Sequence, residues 1–225
     1  MFNFLTNYLE PIAYFIYFIG VLFYFYQRRQ KPTLVLLCFY LIVTIALTLG
    51  SFWVGTANYN IWIYDLTALL TCVCIGVYFY QLYQTRQKKL VVLLLALAYI
   101  GYTIFRNLTI EGLRLFDSIG FSLASASVVI YVFMYFHQLL KNVSEISILK
   151  DFNFWLAAGY LIYYVGSFII FVSFYYLTNK VMSSMSRSDT RLLTALWGLH
   201  NVLLFLGALS LLTGSLWITY RKKSA

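Results

Sequence analysis

An all-α, polytopic membrane bundle of seven helices is the fold class this sequence predicts, and three observations carry it. Of the 225 residues 62% are hydrophobic and only 10% charged, with a mean hydropathy of +0.81, far from the balance of a water-soluble domain. The apolar residues gather into seven stretches, each near the roughly 20 residues that cross a bilayer core of about 30 Å. The basic residues crowd into alternate gaps between those stretches, as cytoplasmic turns require.

The expected spans are 11–26, 33–54, 61–83, 90–105, 116–140, 153–177 and 192–220, in a single transmembrane domain covering 1–225. The first and fourth are short. Thr6 is a candidate cap that would lengthen the first, and Arg86 to Lys89 can snorkel so that the fourth begins earlier. Met1 to Leu5 holds no basic residue, so a cleavable signal is not expected and the first helix should remain in the mature protein. The loops are brief, and no appended soluble domain is expected.

Eleven Lys and Arg follow the odd-numbered spans (Arg28, Arg29, Lys31; Arg86, Lys88, Lys89; Lys141, Lys150; Arg221, Lys222, Lys223), against five on the other side: Arg106, Arg114, Lys180, Arg187 and Arg191. The side richer in Lys and Arg faces the cytoplasm, which puts the C-terminus inside and, with seven spans, the N-terminus outside. The same clustering explains the net charge of +9 without nucleic acid. Phe25 to Lys31 resembles Tyr80 to Lys88, each followed by a Leu-rich run; either hairpin duplication or the shared demands of an inner boundary accounts for it.

A charge held in hydrocarbon costs several kcal/mol, so ionisable residues inside or at the edges of spans are where function is sought. They fall mainly in the outer half: Glu10, Asp65, Arg106, Glu111, Arg114 and Asp117, with His200 and Asn201 deeper in the seventh span. Tyr160, Tyr163, Tyr164 and Ser167 share one face of helix six, and Tyr14, Tyr17, Val21 and Tyr24 one face of helix one. Trp197 lies one turn before Asn201, and Ser118, Ser122, Ser125 and Ala126 narrow one side of helix five. The candidate ligand-binding set is Asp65, His200, Asn201, Trp197, Tyr160, Tyr164, Arg106 and Asp117, around an outward-facing polar cavity. Structural readings stand beside it: Asp65 as the partner of Arg106 or Arg114, His200–Asn201 as a hydrogen-bonded helix contact, the tyrosines as packing, and His137 as an interfacial residue.

Several chemistries lack their residues. Retinal needs a lysine in helix seven, and Leu192 to Tyr220 has none. The two histidines fall on opposite sides, Cys38, Cys72 and Cys74 show no metal-ligand spacing, and no nucleophile elbow or P-loop occurs, so neither a metal, a cofactor nor a catalytic set is implied. The sequons at Asn107 and Asn142 are short matches, and the second is expected to be cytoplasmic. Pro11 and Pro32 both lie at the ends of helix one, without the paired broken helices of many carriers.

Phe154-Trp155, Gly159-Tyr160-Leu161-Ile162-Tyr163-Tyr164-Val165-Gly166, and Leu196-Trp197 with His200-Asn201 resemble segments of uncharacterised bacterial seven-helix membrane proteins that accompany two-component sensor kinases, over roughly a third of the chain. That resemblance implies a multi-pass protein of the bacterial cytoplasmic membrane with a sensory or accessory role. Its partners would be the lipid bilayer, a signalling protein and a small-molecule ligand. A small-solute transporter and a structural subunit of a membrane complex are the alternatives, with a lipid-modifying enzyme using the outer carboxylates behind them.

Overall fold

A computed structural model describes residues 8–27, 32–53, 61–109, 116–141, 148–181 and 187–223. They form seven α-helices: α1 (Leu9–Gln27), α2 (Pro32–Trp53), α3 (Ile61–Leu82), α4 (Arg86–Thr109), α5 (Ser118–Lys141), α6 (Phe152–Val181) and α7 (Arg187–Lys223), with one 3-10 turn at Ile148–Lys150 before α6. No strand occurs among the described residues, and all seven helices are long and apolar enough to cross a membrane. Glu111, Arg114 and Thr6 lie outside the described residues, as do the Arg28 to Lys31 turn and Asn142.

The fourth helix begins at Arg86, a full turn before its apolar run at Leu90. Long basic side chains make that turn possible, because their stems cover apolar surface while their charged ends turn away from it. Lys89 stands over the Tyr80 ring at 5.2 Å, and Lys88 donates to the Met134 carbonyl at 2.9 Å. At the other end of α4, Asp117 caps α5: its Oδ1 accepts from the Gly120 N–H at 2.8 Å, which fixes where that helix starts.

Consecutive helices pack side by side, and α7 closes the arrangement by lying between α6 and α1. Six helices (α1, α2, α3, α5, α6, α7) thus form a ring, and α4 sits outside it in the groove between α3 and α5. Only Val92, Tyr99 and Arg106 of α4 are buried, one every seventh residue, so this helix meets the ring along a single narrow seam. The remaining helices keep apolar side chains such as Phe15, Phe39, Phe133 and Ile169 on their outer surfaces.

Close backbone approach sets the α6–α7 contact. A Cβ on Gly159 would stand 2.6 Å from the Gly207 carbonyl oxygen, and one on Gly207 would stand 2.6 Å from that of Gly159. Only glycine at both positions lets the two backbones meet there. At the end where Lys88 lies, Tyr83 donates its hydroxyl to the Tyr131 carbonyl and ties the α3–α4 connection to α5. Tyr83→Phe is therefore expected to lower stability by about 1 kcal/mol, read from thermal unfolding of the purified protein in detergent.

Candidate functional site

Among the described residues, two polar centres lie toward the end where Glu10 is. The first joins three helices. Asp65, one turn into α3, accepts from Arg106 Nη1 at 2.9 Å, and the same nitrogen lies 3.4 Å from Asp117 Oδ2 at the start of α5. Arg106 ends the buried seam of α4, so its guanidinium reaches the ring only there. Asp117 is engaged further: its Oδ1 takes the Tyr102 hydroxyl at 2.8 Å as well as the Gly120 N–H. Asp65 is less well provided. Its Oδ1 is buried and has no hydrogen-bond partner among the described residues.

The second centre lies inside the ring. His200 of α7 is 4% exposed and meets α6 through both ring nitrogens, Nε2 with the Tyr163 hydroxyl and Nδ1 with Ser167 Oγ, each at 3.1 Å. A neutral imidazole donates from one nitrogen and accepts at the other, and the two hydroxyls can match either tautomer. Asn201 is fully buried beside it, and Tyr160 and Tyr164 continue the face of α6 that carries Tyr163. Tyr14, Thr67, Thr71, Ser125, Tyr163 and Tyr164 line a chamber of about 30 Å³ between α1, α3, α5 and α6. That is room for one or two water molecules.

Trp197 bridges the two centres. Its ring lies 5.3 Å from His200, meets Tyr64 edge-on at 5.7 Å and meets Phe116 edge-on at 5.9 Å. Tyr64 precedes Asp65 and Phe116 precedes Asp117, so one indole touches the neighbours of both carboxylates. An open groove of about 310 Å³ runs beside it, lined by Phe174, Leu193, Thr194 and Trp197.

The structure thus brings Asp65, Arg106 and Asp117 into one cluster and Tyr160, Tyr164, His200 and Asn201 into the other, with Trp197 between. The partnership of Asp65 with Arg106 and the helix-to-helix role of His200 are both present, and His137 is exposed. Tyr102, Tyr40 and Thr71 are polar members that the sequence reading did not single out; Tyr40 and Thr71 bond to each other at 2.8 Å across the α2–α3 contact. Cys72 and Cys74 are buried among core residues and Cys38 is half-buried.

No family model matches this chain, and neither a curated protein nor a solved structure matches it.

Proposed function

We propose that this chain is a multi-pass membrane protein acting as a sensory or accessory module, with its N-terminus outside, in which a small polar ligand or a proton engages the outer polar centres and alters helix packing. The observation that carries the reading is the half-buried Asp65 carboxylate, which gives one oxygen to Arg106 and keeps the other, itself buried, without a partner among the described residues. A carboxylate lone pair so placed favours a donor that arrives from outside, because satisfying it gains a charge-assisted hydrogen bond.

The groove beside Trp197 offers a route of approach, and the indole couples an event at Asp65 to His200 and the α6–α7 contact. A ligand that prefers one helix arrangement shifts the population toward it, and the basic turns at the opposite end would present the result to a signalling partner. The resemblance of the α6 and α7 segments to sensor-kinase companions points the same way. The positive-inside distribution supports the orientation, and the resemblance implies a bacterial cytoplasmic membrane.

The test is a thermal-stability screen in detergent against small amines, guanidinium compounds and lipids, from pH 5 to 8. A ligand at a hundred times its dissociation constant is expected to stabilise by about 2.7 kcal/mol, and Asp65→Asn should abolish the gain. Stabilisation that persists in Asp65→Asn, or a screen with no response at all, would remove this site from consideration.

A further inference from the structure

At the end of the bundle opposite Glu10, the corner between α3 and α4 carries the basic residues Arg86, Lys88 and Lys89. Lys88 is committed to the fold, since its Nζ donates to the Met134 carbonyl of α5 at 2.9 Å. Neither Arg86 nor Lys89 forms an ion pair among the described residues, where both such pairs belong to Arg106. Lys89 is half-buried and held over the Tyr80 ring at 5.2 Å, while Arg86 is exposed at the start of α4.

An open groove of about 460 Å³ runs beside these two cations, lined by Tyr80, Gln84, Arg86, Lys89, Leu90 and Leu93. Its chemistry changes along α4. Arg86, Lys89, Leu90, Leu93 and Leu97 recur at helical spacing and share one face, basic in its first turn and leucine thereafter. All three leucines are exposed, away from the seam of Val92 and Tyr99 that meets the ring. Leu90 to Leu97 rises about 10 Å into the apolar span.

A fully solvated basic turn would let Lys89 extend into water. Here its ammonium stays over an aromatic face, which holds a cation without neutralising it. Two uncompensated cations beside a groove favour an anion, and the leucine strip next to them favours hydrocarbon, so the occupant that satisfies both is amphiphilic. A free phosphate would satisfy only the first, and a zwitterionic lipid brings its own cation to compete with Arg86 and Lys89. We propose that this groove binds an anionic glycerophospholipid, its phosphodiester at Arg86 and Lys89 and one acyl chain along Leu90, Leu93 and Leu97. Arg86 offers the planar fork that suits two phosphate oxygens, and Lys89 a point charge. With the N-terminus outside, this end meets the cytoplasmic leaflet, whose anionic lipids give that surface its negative potential. Along α3 about 22 Å of helix rise separates Tyr80 from Asp65, so a lipid here neither needs nor precludes a ligand there.

The test is native mass spectrometry of the whole, delipidated protein in detergent, titrated with dioleoyl phosphatidylglycerol and with dioleoyl phosphatidylcholine, which has the same chains. Phosphatidylglycerol is expected to bind about thirtyfold more tightly, the combined effect of two basic side chains near a membrane surface. Arg86→Gln and Lys89→Gln should each weaken its binding by about fivefold, and the double variant should bind both lipids alike. Arg191→Gln, which removes an exposed charge at the other end of the bundle, should leave the preference intact. Glycerophosphoglycerol, the same headgroup without its chains, should fail to displace the lipid even in large excess. Equal binding of the two lipids by the wild type overturns the proposal, as does a preference that survives in the double variant or falls equally in Arg191→Gln. Displacement by the chainless headgroup would assign the groove to a free anion and overturn the lipid. Thermal melting checks that each variant folds, and the comparison of the two lipids on the wild type stands without any variant.

Discussion

Gly207→Ala is expected to destabilise the protein by about 1–3 kcal/mol, the usual cost of overpacking a site that cannot collapse further. The added methyl would stand 2.6 Å from the Gly159 carbonyl oxygen and 2.5 Å from the Tyr17 hydroxyl. Tyr17 can turn aside, but a backbone carbonyl in mid-helix cannot, so α6 and α7 must separate or slide. Either movement strains the two 3.1 Å bonds that hold His200 against Tyr163 and Ser167. Gly101→Ala is the matched control. Nothing lies within 4 Å of a Cβ there, on the exposed side of α4, and a helical Gly→Ala change gains up to about 1 kcal/mol. Thermal unfolding of both variants in the same detergent should move in opposite directions. If Gly207→Ala melts with Gly101→Ala, the α6–α7 backbones do not meet as described.

How far the sequence could be read depended on the kind of signal each feature left. Hydropathy and turn residues placed seven helices within a few residues of their observed ends, because a span is a local property of roughly 20 residues. The early start of α4 was legible from Arg86 to Lys89 for the same reason. Periodicity on α1, α5 and α6 located Tyr14, Tyr17, Val21, Ser118, Ser122, Ser125, Tyr160, Tyr163, Tyr164 and Ser167 on inner faces, where they are buried, while Tyr24 and Ala126 of the same stripes are half-buried. The same test on α2 would have found Tyr40, Thr44, Thr48 and Ser51, and on α3 Thr67, Thr71, Cys74 and Tyr78, each set buried along one side. Those seams escaped notice because threonine, serine and cysteine blend into an apolar span on a hydropathy scale, where charges stand out.

Pairing between helices was less accessible. From sequence alone Asp65 could be matched with Arg106 or with Arg114; its pairing with Arg106 depends on how α4 packs against α3, and Arg114 lies outside the described residues. The bridging position of Trp197 is likewise a consequence of where α7 closes the ring, since its contacts Tyr64 and Phe116 come from α3 and the approach to α5. Local chemistry named the residues, and long-range packing decided which of them touch.

The largest loss is expected from Arg106→Met, at about 3–5 kcal/mol, because removing one partner of a buried ionic cluster leaves the others uncompensated. The Arg106 side chain is 7% exposed, and Asp65 and Asp117 are 14% and 11% exposed, so water replaces the guanidinium only in part. Arg106 is also the last of the three buried residues by which α4 meets the ring, with Val92 and Tyr99. Its loss should therefore loosen one end of α4, seen as faster amide exchange from Tyr99 to Thr109 than in the ring helices. Arg106→Lys should recover part of the stability, since a lysine keeps the charge but offers a point donor in place of the planar fork that faces two carboxylates. Asp117→Asn separates the ion pair from the cap. Asparagine still accepts from the Gly120 N–H and from Tyr102, so this change should cost about 1 kcal/mol, and α5 should keep its start. The decisive comparison is the double variant Arg106→Met with Asp65→Asn. Once the carboxylate nearest to the guanidinium is neutral, the penalty of losing Arg106 should shrink, and the double variant should melt above the sum of the single effects by about 1–3 kcal/mol. Strict additivity would mean that Asp65 and Arg106 contribute separately, and that their ion pair does not hold α4.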